Sequence, residues 1–497
     1  MPRTISLCGV LLLAIAATAS GQSAPQAPAA SATSRAFAPL PHLRVSPDGH
    51  DLVREDGAPF LYLGDTAWEL FHRLDREEAR HYLQTRAAQR FTAIQAVALA
   101  ELNGITEPNA QGDLPLLDHD PLRPAVTPGA DPADPGAYDY WDHVDFIVQE
   151  ANRLGMYVAL LPTWATWIDP RPGGTAYITT AAQARGYGEF LGQRYREAGI
   201  IWVLGGDRPG AGHEAIWRAL AKGIALGVSG TEDYSRVLMT YHPSGAQSSS
   251  TWFHDDAWLD FNMRQTGHGP VDEVKGWNQI AADYARPPTK PIVDGEPLYE
   301  DHPIGFREGA RTHGFSTDAH VRQRIYWDLF AGAAGVTYGD HAVWQMYAPG
   351  REPVNGPLYF WNEAIERPGA KQMRHVRTLL ESRPMLTRTP DQSLLVDALD
   401  GAEHIQAIRG PDHLFVYSAA GRPFTLKLGR ISGTRVTGYW YNPRNGTSTR
   451  IGTFDNAGTR EFVPQYEGLG SDWVLVLDDA ARGYPAPGRL VRGPGDR

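Results

Sequence analysis

The chain predicts an eight-fold βα barrel followed by a small all-β domain. Three observations carry this. From about residue 43, apolar runs of strand length alternate with amphipathic stretches of helical period. Two of those runs, at 200–209 and 291–299, end in the same way, on glycine and a carboxylate. After about residue 387, helical periodicity stops and short strands follow one another.

In chain order, residues 1–19 read as an export signal, with Arg3 before an apolar core at 5–17 and a small-residue cleavage site at Ala17-Thr18-Ala19. That core is short for a membrane span, and it predicts a secreted or periplasmic protein. The single cysteine, Cys8, lies inside it, so the mature chain is expected to lack disulfide and thiol chemistry. Residues 20–40, rich in Ala, Pro and Ser, read as a linker. The barrel is predicted over 41–386, with strands at 60–64, 92–99, 157–162, 200–205, 237–241, 259–263, 291–295 and 335–339. Helices are expected at 75–89, 140–153, 181–197, 213–226, 274–284, 317–331 and 369–380, while 243–258 supports one poorly. A doubly wound open sheet is the alternative, but no GxGxxG follows the first strand. Two long connections, 103–139 and 342–368, follow strands and so belong to the face where barrel enzymes do their chemistry. The first, rich in proline, is expected to wall the cleft. A β-sandwich is predicted over 387–480, with strands at 394–397, 404–408, 414–418, 424–428, 436–441, 447–453, 461–463 and 473–477, and a flexible tail over 481–497. Asn445-Gly446-Thr447 matches a glycosylation acceptor, but between two strand-like runs it reads as a hairpin turn. The small domain offers no cluster of acids and is expected to be a structural companion of the barrel.

Composition narrows the function. Across 497 residues the formal charge is −11 without long runs of one sign, which argues against nucleic acid or an anionic membrane as main partner. Fourteen tryptophans suit sugar stacking and core packing alike. Metal or cofactor chemistry is not called for: His213-Glu214 lacks the second histidine of a zincin motif, and no GxSxG precedes a helix. Asp118, His119 and Asp120, with the acids at 131–134, read as solvated loop charge rather than calcium ligands.

Strand alternation gives Ile201, Val203, Gly205 and Asp207 one parity, and gives Ile292, Asp294 and Glu296 one parity. Both acids would then stand at the carboxyl ends of barrel strands, as a glycosidic bond requires of its two carboxyl groups. The competing reading makes Asp207 a helix cap or a partner of Arg208, and Glu296 a structural ion pair. Asp65, Glu101, Asp169, Glu300 and Asp340 also sit near strand ends, most of them better read as supports or sugar ligands. The predicted binding set is Asp65, Trp68, Glu101, Trp164, Arg208, His242, Trp252, Gln265, His268, Tyr299, His341 and Trp344.

Specific motifs add a resemblance. They are Tyr-Leu-Gly-Asp-Thr-Ala-Trp at 62–68, Leu-Leu-Pro-Thr-Trp at 160–164, Tyr-Gly-Glu-Phe-Leu-Gly at 187–192 and Trp-Val-Leu-Gly-Gly-Asp-Arg at 202–208. Further along come Ser-Ser-Ser-Thr-Trp-Phe-His at 248–254, Asp-Phe-Asn-Met-Arg-Gln-Thr-Gly-His at 260–268, Asp-Gly-Glu-Pro-Leu-Tyr-Glu at 294–300 and the run at 326–339. From about Leu43 onward the chain resembles the apiosidase-like glycoside hydrolases, glycoside hydrolase family 140, with a C-terminal domain like one named for collagen binding. The resemblance implies Asp207 as acid/base, Glu296 as nucleophile, and carboxyl groups roughly 5 to 5.5 Å apart, as in retaining enzymes. It also implies cleavage of apiose from galacturonate in rhamnogalacturonan II, a plant cell-wall pectin. A glycosidase for another furanose or pentose linkage, and a non-catalytic carbohydrate- or matrix-binding protein, are the alternatives. Because such a substrate is polyanionic and the chain acidic, attraction has to be local, with Arg171, Arg208 and Arg264 as candidates. Arg208 beside Asp207 is in tension with an acid catalyst, since a nearby cation lowers a carboxyl pKa.

Overall fold

Eight parallel strands form the barrel wall: β1 (Tyr62–Thr66), β2 (Ala93–Val97), β3 (Tyr157–Leu161), β4 (Ile200–Gly205), β5 (Met239–His242), β6 (Asn262–Arg264), β7 (Ile292–Asp294) and β8 (Gly335–Tyr338). The computed structural model describes Phe37 and residues 40–489, so the expected export signal and the end of the predicted tail lie outside the described residues. Ladder order runs β5-β4-β3-β2-β1-β8-β7-β6. The remaining seam, between β5 and β6, is closed by fewer bonds: Asp260 N–H to the Met239 carbonyl at 2.9 Å, Met239 N–H to Asp260 Oδ2 at 2.7 Å, and Thr240 Oγ1 to the Phe261 carbonyl at 2.6 Å.

Every residue of β1, β2 and β3 is buried, because the barrel interior covers one face and the helices the other. The interior is cross-braced by Gln95, whose Nε2 donates to the Gly295 carbonyl at 2.9 Å and to Thr337 Oγ1 at 2.7 Å. Outer helices start where their caps predict. Asp75 and Asp139 close capping boxes on Arg76–Ala88 and Tyr140–Arg153, and Thr180 caps Ala181–Arg194. The poorly supported fifth helix is one turn, Ser250–Phe253. A helix at Phe306–His313, which periodicity did not suggest, follows β7.

The C-terminal unit has a six-stranded antiparallel sheet and a two-stranded one, Phe424–Lys427 with Thr459–Phe462. Its expected first strand at 394–397 is instead a 3-10 turn, Gln392–Leu394, with a single bridge from Leu395 to Leu426. Asn445-Gly446 does form the hairpin turn: Gly446 has φ +72°, and Asn442 N–H reaches the Thr447 carbonyl at 2.8 Å. The large sheet is covered on both faces. Leu414, Val416, Leu475 and Leu477 pack under the small sheet, while Phe415, Tyr417, Val474 and Val476 join the barrel core. Stacked pairs Tyr326–Tyr417 at 4.8 Å and Phe330–Phe415 at 5.8 Å bind that second face to helix Asp318–Phe330.

Candidate active site

The two acids reach the barrel mouth by different routes. β4 ends in three successive left-handed residues, Gly205 (φ +91°), Gly206 (φ +124°) and Asp207 (φ +54°). Alternation was thus the wrong route to the right face, since the strand stops at Gly205 and this turn aims Asp207. Glycine is required at 206 on two counts, because a Cβ there would also lie 2.7 Å from the Trp164 ring. Past β7, Asp294 has a structural task. Its Oδ1 accepts from the backbone N–H of Thr266 at 3.3 Å and of Glu296 at 3.2 Å, fixing the turn that presents Glu296.

Glu296 is held between two imidazoles. Its Oε1 lies 2.9 Å from Nε2 of His268, and its Oε2 lies 3.2 Å from Nε2 of His242 in a bent approach. His242 Nδ1 accepts the Asp207 backbone N–H at 3.3 Å, so in the neutral ring the proton sits on Nε2, toward Glu296. One histidine therefore ties the backbone of one acid to the carboxylate of the other. Burial alone would raise the Glu296 carboxyl, but hydrogen bonds from His242 and His268 outweigh it and hold its pKa down at about 2.

Asp207 is shifted the opposite way. Burial and the Glu296 charge raise its pKa, against smaller lowering from His242, Arg208 and a hydrogen bond from Gln265. Arg208 stays within ion-pair range of Asp207, and the expected tension is outweighed by burial and the Glu296 charge rather than removed. Arg208 Nη1 donates to the Asp207 backbone carbonyl at 2.8 Å and lies 3.7 Å from the carboxylate, while Nε reaches the Asp169 carbonyl at 3.4 Å. Glu101 is a third acid in the same cavity, pushed up to about 8 by burial and by Asp207, Glu69 and Glu296.

The chain and its fold match known proteins. The family model "Apiosidase-like, catalytic domain" covers residues 46–387, and "Putative collagen-binding domain of a collagenase" covers 389–478. The chain belongs to the apiosidase-like family. Among solved structures, one described as "Glycoside hydrolase" is 33% identical, covering 89% of this chain and 98% of its own, with a TM-score of 0.78. A glycoside hydrolase family 5 protein from Bacteroides vulgatus ATCC 8482 is also 33% identical, over 89% of this chain and 94% of its own, with a TM-score of 0.79. None of the curated proteins matches. The apiosidase-like domain is thus a glycosidase, and its substrate a carbohydrate.

The apiosidase-like cavity, of about 430 Å³, is lined by nine of the fourteen residues singled out: Trp68, Glu101, Trp164, Asp207, Gln265, His268, Glu296, Tyr299 and Trp344. The other five do not line it. Asp65 is fully buried behind the wall, bound by Tyr82 Oη and by Arg86 Nε at 2.7 Å. His242 and His341 are buried supports; His341 Nδ1 accepts from Trp344 Nε1 at 3.3 Å and so orients a lining ring. Arg208 is engaged by backbone carbonyls, and Trp252 packs outside against Tyr241 and over Gly210. Sequence reasoning missed Leu102, His302, Phe306, Val354 and Asn355. His302 stacks on His268 at 4.0 Å and meets His341 edge-on at 4.4 Å, contacts that no local pattern encodes. The proline-rich connection 103–139, expected to wall the cleft, contributes no residue to the cavity lining; Glu101 and Leu102, which do line it, lie just before that connection. Among the described residues no group of three or more His, Cys, Asp or Glu is placed to hold a metal ion, and no helix is long and apolar enough to cross a membrane. In the acidic loop, Asp118 pairs with Arg123, and the Oδ1 atoms of Asp131 and Asp134 accept backbone N–H groups two residues on.

Proposed function

We propose that the chain is a retaining glycosidase, of glycoside hydrolase family 140, that cleaves the apiose–galacturonate linkage of rhamnogalacturonan II, with Glu296 as nucleophile and Asp207 as acid/base. The observation that carries the pair of roles is the opposite shift of two carboxyl groups in one cavity: Glu296 held ionised near 2, Asp207 raised. In the first step Glu296 attacks the anomeric carbon while the glycosidic C–O bond breaks, and Asp207 gives its proton to the departing oxygen. Water then attacks the anomeric carbon of the glycosyl ester, Asp207 takes its proton, and Glu296 leaves as a carboxylate again. His242 and His268, as donors, slow the attack slightly and favour this second departure. Trp68, Trp164 and Trp344 are the stacking surfaces for sugar rings. The substrate assignment rests on the motifs at 202–208 and 294–300 and on the family match. The segment at 1–19 supports export, which brings the enzyme to cell-wall fragments.

Azide separates the two roles. Glu296→Ala should be inactive on every unassisted substrate, and azide should attack from the vacated side to give an inverted product. Asp207→Ala loses proton donation, worth typically 10²- to 10⁴-fold, yet on an activated aryl apioside it still forms the intermediate, and azide yields a retained product. Near wild-type activity of both variants on the natural linkage would overturn the assignment.

A further inference from the structure

The cavity holds three acids, Glu101, Asp207 and Glu296, and among the described residues one side chain of permanent positive charge, Arg171, lines it. Three arginines near strand ends were candidates for attracting an anionic substrate, and two are already engaged. Arg208 is bound to the carbonyls of Asp207 and Asp169. Arg264 holds Asp283 through Nε at 3.0 Å and Nη2 at 2.9 Å, and Gln279 through Nη1 at 2.9 Å. The guanidinium of Arg171 has no hydrogen bond, ion pair or aromatic partner among the described residues, and the residue is exposed. Its position follows from its loop. The Asp169 carbonyl, two residues before it, receives Arg208 Nε, and Arg208 Nη1 donates to the Asp207 carbonyl, so this segment is fastened to the Asp207 side of the cavity.

We propose that Arg171 forms an anion-binding position on the leaving-group side of the cleft and selects substrates whose leaving sugar carries a carboxylate. This rests on the reading of Asp207 as the acid, because the group that protonates the leaving oxygen stands beside the leaving sugar. A neutral leaving sugar gains little from a free guanidinium. A uronate needs one here, since the ionised Glu296 and a formal charge of −11 otherwise repel it. The planar fork also matches a carboxylate in two-point contact. Glu101 helps the same substrate by being uncharged below about pH 8.

The test compares a pectin oligosaccharide that has a uronate leaving group with its carboxyl-reduced counterpart. Wild type should favour the uronate by roughly 10- to 100-fold in kcat/KM, the range of one charge-assisted hydrogen-bonded contact. Arg171→Gln should bring that ratio to near one, chiefly through KM, and Arg171→Lys should keep part of it. Calorimetry of the full chain with D-galacturonate and D-galactose gives a readout without turnover, in which Arg171→Gln loses the difference between the two sugars. A ratio that persists in Arg171→Gln, an equal fall on both substrates, or galacturonate binding that the variant retains would each overturn the proposal. If wild type cleaves neither oligosaccharide nor an activated aryl apioside, the apiose–galacturonate assignment fails instead, and calorimetry still decides the role of Arg171.

Discussion

At the residue scale, the pH profile follows from the two opposite shifts. Turnover needs Glu296 ionised and Asp207 protonated, so the active range opens above about 2 and closes as pH passes the raised Asp207 value. Removing a donor from Glu296 raises its pKa, so His268→Ala should move the acid limb of kcat/KM to higher pH. An acid limb that stays in place would show that His268 does not tune the nucleophile. Among the described residues, Glu101 is the one acid besides Asp207 and Glu296 that lines the cavity. Glu300 accepts from Tyr338 Oη at 2.6 Å and from the Gly369 N–H, Asp340 Oδ1 accepts from the N–H groups of Ala342 and Val343, and neither lines the cavity. Because Glu101 is held neutral below about pH 8, Glu101→Gln copies its working form and should lose less than ~10-fold at neutral pH. Asp207→Asn, which cannot donate the proton, should lose ~10²-fold or more on the natural linkage. The reverse order in a kcat comparison would make Glu101 the acid.

At the element scale, the strand-to-loop turn at 205–207 is the part that local rules describe least well. Period-two alternation located β4 and β7 and put both acids at the barrel mouth, where they line the cavity, yet Asp207 arrives there through three left-handed residues that alternation does not include. Gly206→Ala tests the turn. A left-handed alanine costs roughly 1–2 kcal/mol, and the added Cβ meets Trp164 at 2.7 Å, so turn and ring must shift. We expect a modest drop in melting temperature with a kcat loss of ~10²-fold, the effect of misplacing a catalytic group by about 1 Å. Unchanged kcat would mean that the turn does not set the position of Asp207. The eight strands and seven capped or amphipathic helices were legible because each repeats a local period. The Phe306–His313 helix was not, since its eight residues offer only Phe306 and Ala310 as apolar side chains and none of the eight is buried.

At the scale of the whole molecule, the C-terminal unit covers barrel surface that water would otherwise reach. Arg322 grips Asp472 through Nε at 2.9 Å and Nη2 at 2.8 Å, with both side chains 1% exposed, and Arg383 grips Asp478 at 2.7 and 2.6 Å. Arg322→Ala leaves the Asp472 carboxylate buried with weaker partners and should cost about 3–5 kcal/mol, read as a lower denaturant midpoint. A barrel ending at Thr387 strands both arginines and uncovers Tyr326, Trp327 and Phe330, so it should melt well below the full chain or aggregate. Unchanged melting together with lost polysaccharide binding would instead make the small domain a binding module.

The sequence by itself determined the barrel, the all-β unit after it and the two carboxylates at the ends of β4 and β7, because strand period, helix caps and glycine-acid endings are written in neighbouring residues. Tertiary structure alone decided what surrounds those acids. Asp65 and His242 look like site residues in the chain, but packing turns Asp65 to Arg86 and seats His242 beneath both acids. His302 reaches the site by stacking on a histidine from another loop, and Arg171 is distinguished from Arg208 and Arg264 only by their having partners. The physical reason is range. Secondary structure follows from periods of two and 3.6 residues, whereas burial, ion pairing and the pKa shifts that separate Glu296 from Asp207 depend on groups brought together from distant strands.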